Sequence, residues 1–432
     1  MHPPTSPAAI LSIPVEILEQ ILLFCDPRDV MCFSRTCRFG DAAINHAADS
    51  YFWRQMFLHI FDDPRQAVNS IPANSSSNWK SELVRRIRAE RAAFSGFSST
   101  IDRRTILETF VSVAQDAIPM SDSNPSSRNL EWLDTVLRNS HILDLTFPVN
   151  EAKFGNRLKA YMALSLKEDN AHNEEELHVI RTRSRCFVYD LRNYHRRNSW
   201  GPFLSNGKVN WSHVEAIINV VQTNLRELPL LDSNPRPPIR PGLQGIRARS
   251  APGDYTGPDW AGVEGTWRRY VCFMDYRDLF AFNFSDALDT GPRDPSFFDD
   301  RDFREATRLI ELKLHLITRD EMRIRFPSGD PPPPSSPDYP PLYFSGISRG
   351  ASFGQEASVQ GFVFMGLDHL PRWRFTSIHG LEPQWSSEGT QIGHIASAMG
   401  VVGAWSAFNH GEGDPAGPFW LWKVSKEPTS YA

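Results

Sequence analysis

Leu11-Ser12-Ile13-Pro14-Val15-Glu16-Ile17-Leu18-Glu19-Gln20-Ile21-Leu22-Leu23-Phe24-Cys25-Asp26-Pro27-Arg28-Asp29-Val30-Met31-Cys32-Phe33-Ser34-Arg35-Thr36-Cys37-Arg38 decides how this chain begins. Pro14 suits a first helical position, where its missing N–H costs nothing, and Glu16 then sits in the first turn beside the positive helix end. At about 100° per residue, Val15, Ile17, Leu18, Ile21, Leu22, Phe24 and Cys25 cover roughly half the circumference. Glu16, Glu19 and Gln20 supply the polar stripe. A second helix follows, with Asp26 as cap, Pro27 as first residue and Asp29 in its first turn. Its apolar stripe is narrow: Val30, Phe33 and Cys37. Gly40 is expected to break the helical pattern. Ser50 then caps a short aromatic helix carrying Tyr51, Phe52, Trp53, Met56 and Phe57.

Three short helices within about 50 residues lie near the lower limit for a self-sufficient core. The broad apolar face of the first leaves surface to spare, for another part of the chain or for another protein. Leu-x-Ile-Pro-x-Glu-Ile-Leu, then Asp-Pro-x-Asp-Val, Cys-Arg and Phe-Trp-Arg together resemble an F-box. The positions that carry the likeness are Leu11, Ile13, Pro14, Glu16, Ile17, Leu18, Ile21, Leu22, Asp29, Val30, Phe33, Cys37, Arg38 and Trp53. Gly40 stands where the family often has Trp, and Ile13 where Leu is usual.

The resemblance implies docking on a Skp-type adaptor through Leu11, Ile13, Pro14, Glu16, Ile17, Leu18, Ile21, Leu22, Val30, Phe33 and Trp53. It also implies a cullin scaffold, an unnamed target protein and a non-catalytic receptor role in a ubiquitin ligase. Two other readings stand beside it: an adaptor-binding protein without a ligase role, and a small-ligand-binding barrel protein.

The chain has 432 residues, a net charge of −5, 41% hydrophobic and 22% charged residues. That composition is globular and gives no electrostatic reason to expect nucleic acid. No run of about 18 apolar residues predicts a membrane helix, and Met1-His2-Pro3-Pro4-Thr5 does not open like a signal peptide. Five cysteines, an odd number, fit a reducing compartment, hence cytoplasm or nucleus. Cys25, Cys32 and Cys37 are spaced wrongly for a zinc knuckle and read as small apolar residues. No metal or cofactor is expected.

The expected fold class is α+β: an F-box over 8–60, a helical linker region over 78–230, and an antiparallel β domain over 255–426. Asn74 to Asn78 reads as a loop ending in a cap, before a basic helix from Trp79 to Ala93 whose Lys80, Arg85, Arg86, Arg88 and Arg91 form a solvated face. Helices are predicted near 103–117, 129–140, 151–167 and 211–225. Arg185 to Leu191 reads as either strand or helix. From Tyr255 the hydrophobic period shortens to 2. Strands are predicted at Phe280–Phe284, Glu311–Leu316, Phe362–Met365, Arg372–Thr376, Val401–Trp405 and Phe419–Trp422, forming a barrel or a sandwich. A proline-rich loop, 327–341, interrupts them. Gly265-Thr266-Trp267, with Gly400 to Trp405 and Gly417 to Trp420, is similar to F-box proteins whose substrate arm is a lipocalin-like barrel. Trp267, Arg268, Tyr270, Arg372 and Arg374 are the candidate target-binding residues, because aromatic and guanidinium groups together hold a peptide end or an acidic group.

Gly346-Ile347-Ser348-Arg349-Gly350 fits the nucleophile-elbow pattern, yet no parallel βαβ arrangement surrounds it. His369, His379, His394 and His410 lack the spacing of a metal site. The expectation is no catalytic residue.

Overall fold

The computed structural model describes residues 12–46, 50–68, 78–95, 102–165, 174–229, 235–238, 242–255, 257–285, 291–300, 303–327, 329–332, 337–350 and 356–425. Leu11, residues 69–77 and part of the proline-rich stretch 327–341 lie outside these residues. The chain divides into two compact units: residues 1–117 with 127–136, and residues 118–126 with 137–432. The division falls inside the helical stretch.

In the first unit the helices are α1 (Val15–Leu22), α2 (Pro27–Ser34), α3 (Arg38–Asn45), α4 (Tyr51–Ile60), α5 (Trp79–Phe94) and α6 (Arg103–Gln115); α7 (Arg128–Asn139) starts there. Pro14 is the residue before α1, and its carbonyl accepts from the N–H groups of Ile17 and Leu18. Asp26 caps α2 through Arg28 N at 2.7 Å, and Asn78 caps α5 through Ser81 N. Gly40 does not break the chain's helicity, contrary to the sequence reading. It sits inside α3, where an added Cβ would lie 2.8 Å from the Phe33 carbonyl oxygen. Its lack of a side chain lets α3 approach α2 closely. Ser50 precedes α4, but its hydroxyl accepts no capping hydrogen bond from the helix.

The core of this unit joins Leu18, Leu22, Val30, Ile44, Phe52, Trp53, Met56, Phe57, Phe61, Trp79 and Leu83. Edge-to-face contacts continue from Phe61 to Trp132 and on to Phe110, with centroids 5.2 and 5.8 Å apart. The basic helix is not simply solvated. Arg86 is 1% exposed and paired with Glu82 at 2.8 Å and Asp116 at 3.1 Å. Its guanidinium also stacks over Phe57 and Phe61 and donates to Asn129. Burial pushes the Asp116 carboxyl up despite Arg86.

The second unit holds α8 (Val149–Met162), α9 (Glu174–Val188), α10 (Trp211–Glu227), α11 (Tyr276–Phe284) and eight strands: β1 (Gly265–Met274), β2 (Glu305–Ile317), β3 (Leu342–Gly350), β4 (Glu356–Met365), β5 (Pro371–His379), β6 (Glu382–Gln391), β7 (Val401–Ala407) and β8 (Ala416–Ser425). Each strand pairs antiparallel with the next, and β8 closes on β1 through Arg269↔Leu421 and its neighbours. The architecture is therefore an up-and-down barrel, which leaves no open edge. Inward positions alternate along every strand, giving a core of Trp267, Val271, Leu312, Leu314, Phe344, Val359, Trp373, Phe375, Val401, Phe419 and Leu421. Ala261 and Val263 join this cluster from the segment leading into β1, and Trp267 Nε1 donates to the Val263 carbonyl at 2.8 Å.

Helix α10 is buried nearly all round, between α8 and α9 on one side and β7, β8 and β1 on the other. Two of its polar side chains are paired across helices, Asn219 with Ser184 and Asn224 Oδ1 with Arg181. Cys186, in the stretch that read as strand or helix, belongs to α9. The predicted strand at Phe280–Phe284 is instead part of α11. Asp275 caps that helix through Arg277 N, and the buried residues are Leu279, Phe282 and Asn283. That i, i+3, i+4 spacing is helical; the alternation of Phe280, Phe282 and Phe284 concealed it because two of those rings face water. Among the described residues no helix is long and apolar enough to cross a membrane.

Candidate docking surface and barrel site

Helix α1 separates its apolar residues into two sets. Leu18 and Leu22 enter the core, as do Val30 of α2 and Trp53 of α4, whose Nε1 donates to the Ile44 carbonyl at 2.9 Å. Ile17 is 52% exposed, Ile21 47% and Phe24 89%. Ile17 and Ile21, spaced i, i+4, lie about 40° apart around the axis of α1, and Phe24 follows in the turn just beyond the helix end, its N–H bonded to the Ile21 carbonyl. Pro14 and Glu16 are exposed, while Ile13 and Phe33 are partly buried against the core. Of the predicted adaptor contacts, then, Pro14, Glu16, Ile17 and Ile21 stand on the surface, and Leu18, Leu22, Val30 and Trp53 are structural. Phe24 is missing from the predicted set although the helical wheel already placed it beside Ile17 and Ile21.

The barrel is blind at the Trp267 end and open at the other. There, Arg269, Val271, Phe273, Ile310, Trp385 and Trp405 are among the residues lining a cavity of about 1050 Å³. The candidate target-binding residues mostly lie elsewhere. Trp267 is sealed in the core against Trp373, ring centroids 5.1 Å apart. Tyr270 has the outward parity and stacks on Trp422; Arg268, also outward, is half-buried. Arg372 pairs with Asp368, donates to Thr390 at 2.9 Å and stacks over Phe203. Arg374 meets Glu388 at 2.6 Å and the Gly329 carbonyl at 2.9 Å. Both guanidinium groups are almost wholly buried and face internal carboxylates. Arg269, which the sequence reading passed over, is a buried arginine that faces the cavity; Arg308, on β2, also lines it and is exposed. Burial lowers the pKa of Arg269 to about 9, so it remains charged at neutral pH.

The family model of the F-box domain matches residues 10–39. The chain carries an F-box. Neither the curated proteins nor the solved structures yield a match to the chain. An F-box implies binding to the Skp1 adaptor of SCF-type complexes, and F-box proteins are generally non-catalytic substrate receptors. The F-box spans α1 and α2 and reaches the start of α3, so the exposed Ile17, Ile21 and Phe24 belong to it.

The other motifs have structural places. Ser348 lies within β3 and donates to the Ala357 carbonyl, so no nucleophile elbow forms at Gly346–Gly350. His410 stacks flat on Trp200 at 3.8 Å, and burial lowers its pKa to about 4. Among the described residues no group of three or more His, Cys, Asp or Glu is placed to hold a metal ion.

Proposed function

We propose that this chain is the substrate-recognition subunit of a Skp–cullin–F-box ubiquitin ligase, its barrel unit serving as the target-binding arm. The observation that carries the reading is the exposed Ile17 and Ile21 on the first helix of a matched F-box, with exposed Phe24 in the turn that follows it. Apolar side chains of this size, half in water, are unusual on a helix whose other face is already packed. Covering each of them contributes about 1–2 kcal/mol before the costs of association.

The mechanism is proximity. The F-box fixes the chain to the adaptor and cullin while the barrel unit holds a target, so transfer of ubiquitin becomes effectively intramolecular. Such a complex works in the cytoplasm or the nucleus, where the free thiols of Cys25, Cys32 and Cys37 also belong.

Purified adaptor and cullin should be retained by the full chain and lost on deleting residues 1–57. A reconstituted complex should then transfer ubiquitin to a target trapped by the barrel unit. Adaptor binding without cullin assembly would select the adaptor-binding role without ligase function.

A further inference from the structure

Among the described residues six arginines are almost wholly buried, and five of them meet carboxylates or several backbone carbonyls. Arg86 faces Glu82 and Asp116, Arg185 faces Glu305, Arg372 faces Asp368 and Arg374 faces Glu388. Arg247 fans onto the carbonyls of Ile118, Pro119, Asn124 and Pro125. Arg269 differs. Among the described residues its one hydrogen-bonded partner is Ser387 Oγ, at 2.8 Å, and no carboxylate faces it. Its Nε is buried without a partner. Phe419 and Phe375 flank the guanidinium at 4.3 and 5.0 Å, which offsets only part of the lost hydration.

The position of this cation is as telling as its isolation. On β1, Trp267 fills the blind end of the barrel, Arg269 is the next inward residue, and Val271 and Phe273 lead on toward the open end. Arg269 is therefore the deepest cavity-lining group of its strand, below Val271 and Phe273, while Ser348, Ser377 and Arg308 add polar groups nearer the mouth. The cavity, at about 1050 Å³, has the size of a small-molecule site. A guanidinium offers five donors in a fork that suits a carboxylate, and here Ser387 occupies one.

We propose that the barrel cavity binds a small apolar carboxylic acid. The carboxylate meets the free edge of Arg269, and the hydrocarbon body lies along Val271 and Ile310 toward Trp385 and Trp405 at the mouth. This site is independent of adaptor docking, so its failure leaves the ligase reading untouched.

The test uses the full chain with decanoate and 1-decanol, followed by calorimetry and by the fluorescence of Trp385 and Trp405. Decanoate should bind saturably and at least tenfold more tightly than the alcohol. Arg269→Met, checked for unchanged circular dichroism, should remove most of that difference. A diazirine-bearing decanoate should crosslink to peptides containing residues 269–274 or 305–310, a readout that needs no variant. Equal binding of acid and alcohol, an acid preference that survives in Arg269→Met, or crosslinks elsewhere would overturn the proposal. So would binding of an acetylated alanine hexapeptide with a free C-terminus in the absence of decanoate binding, since that would make the site a peptide-end receptor.

Discussion

Ile17 and Leu18 are adjacent in the chain and serve opposite purposes: one is 52% exposed, the other fully buried. A rotation of about 100° per residue is enough to divide a single apolar run between core and surface. Ile17→Asp combined with Ile21→Asp should weaken adaptor binding at least tenfold while changing the melting temperature little. Leu18→Ala should do the reverse, destabilising the first unit by about 2–5 kcal/mol. Adaptor titrations and denaturant unfolding of the same variants separate the two effects.

Arg86 and Asp116 hold α5 to the end of α6 across a contact of 3.1 Å that is buried on the arginine side and half-buried on the aspartate side. Removing the cation leaves Asp116 and Glu82 without it in a site that already penalises charge. Both carboxylates reach water and Glu82 keeps Arg85, so Arg86→Met should cost about 2–3 kcal/mol, below the range of a fully buried pair. Chemical denaturation reads this directly, and a loss below about 1 kcal/mol would show that the stacking on Phe57 and Phe61 matters more than the charges.

Glu215, on α10, has its pKa raised to about 7 by burial, only partly opposed by Lys159 and Asn219. A carboxyl with a raised folded pKa stabilises the fold most below its unfolded value, and that contribution fades as pH rises through 7. Glu215→Gln should thus melt above the parent at pH 8, and the difference should shrink toward pH 4.5. Melting curves across that range test it; parallel curves would refute the assignment.

Gly389 and Gly403 face each other across β6 and β7. A Cβ on Gly403 would come within 2.1 Å of the Glu388 carbonyl oxygen and 2.6 Å of the Gly389 Cα. Gly403→Ala forces that pair of strands apart and should destabilise the barrel by about 1–3 kcal/mol. Hydrogen exchange of the β6 and β7 amides should rise more than that of β3 and β4.

What the sequence determined by itself was set by local rules. Capping residues, Pro27 at a helix start, and the alternation in Glu311–Leu316 fix helices and strands because each depends on neighbours within a few residues. The F-box was legible for that reason, as was the antiparallel nature of the C-terminal half. Tertiary structure decided the rest. Nothing local tells Ile17 from Leu18, shows that Arg86 is buried, or turns Phe280–Phe284 into a helix. Each outcome depends on which distant surface covers the side chain. The same holds in the barrel. Arg372 and Arg374 looked available until Asp368 and Glu388 were seen to neutralise them. Arg269 looked ordinary until closure of β8 on β1 placed it inside, with a hydroxyl and two rings where the other arginines have carboxylates or carbonyls. Charge in a protein interior is judged by what is nearby in space, and only the closed barrel supplies that neighbourhood.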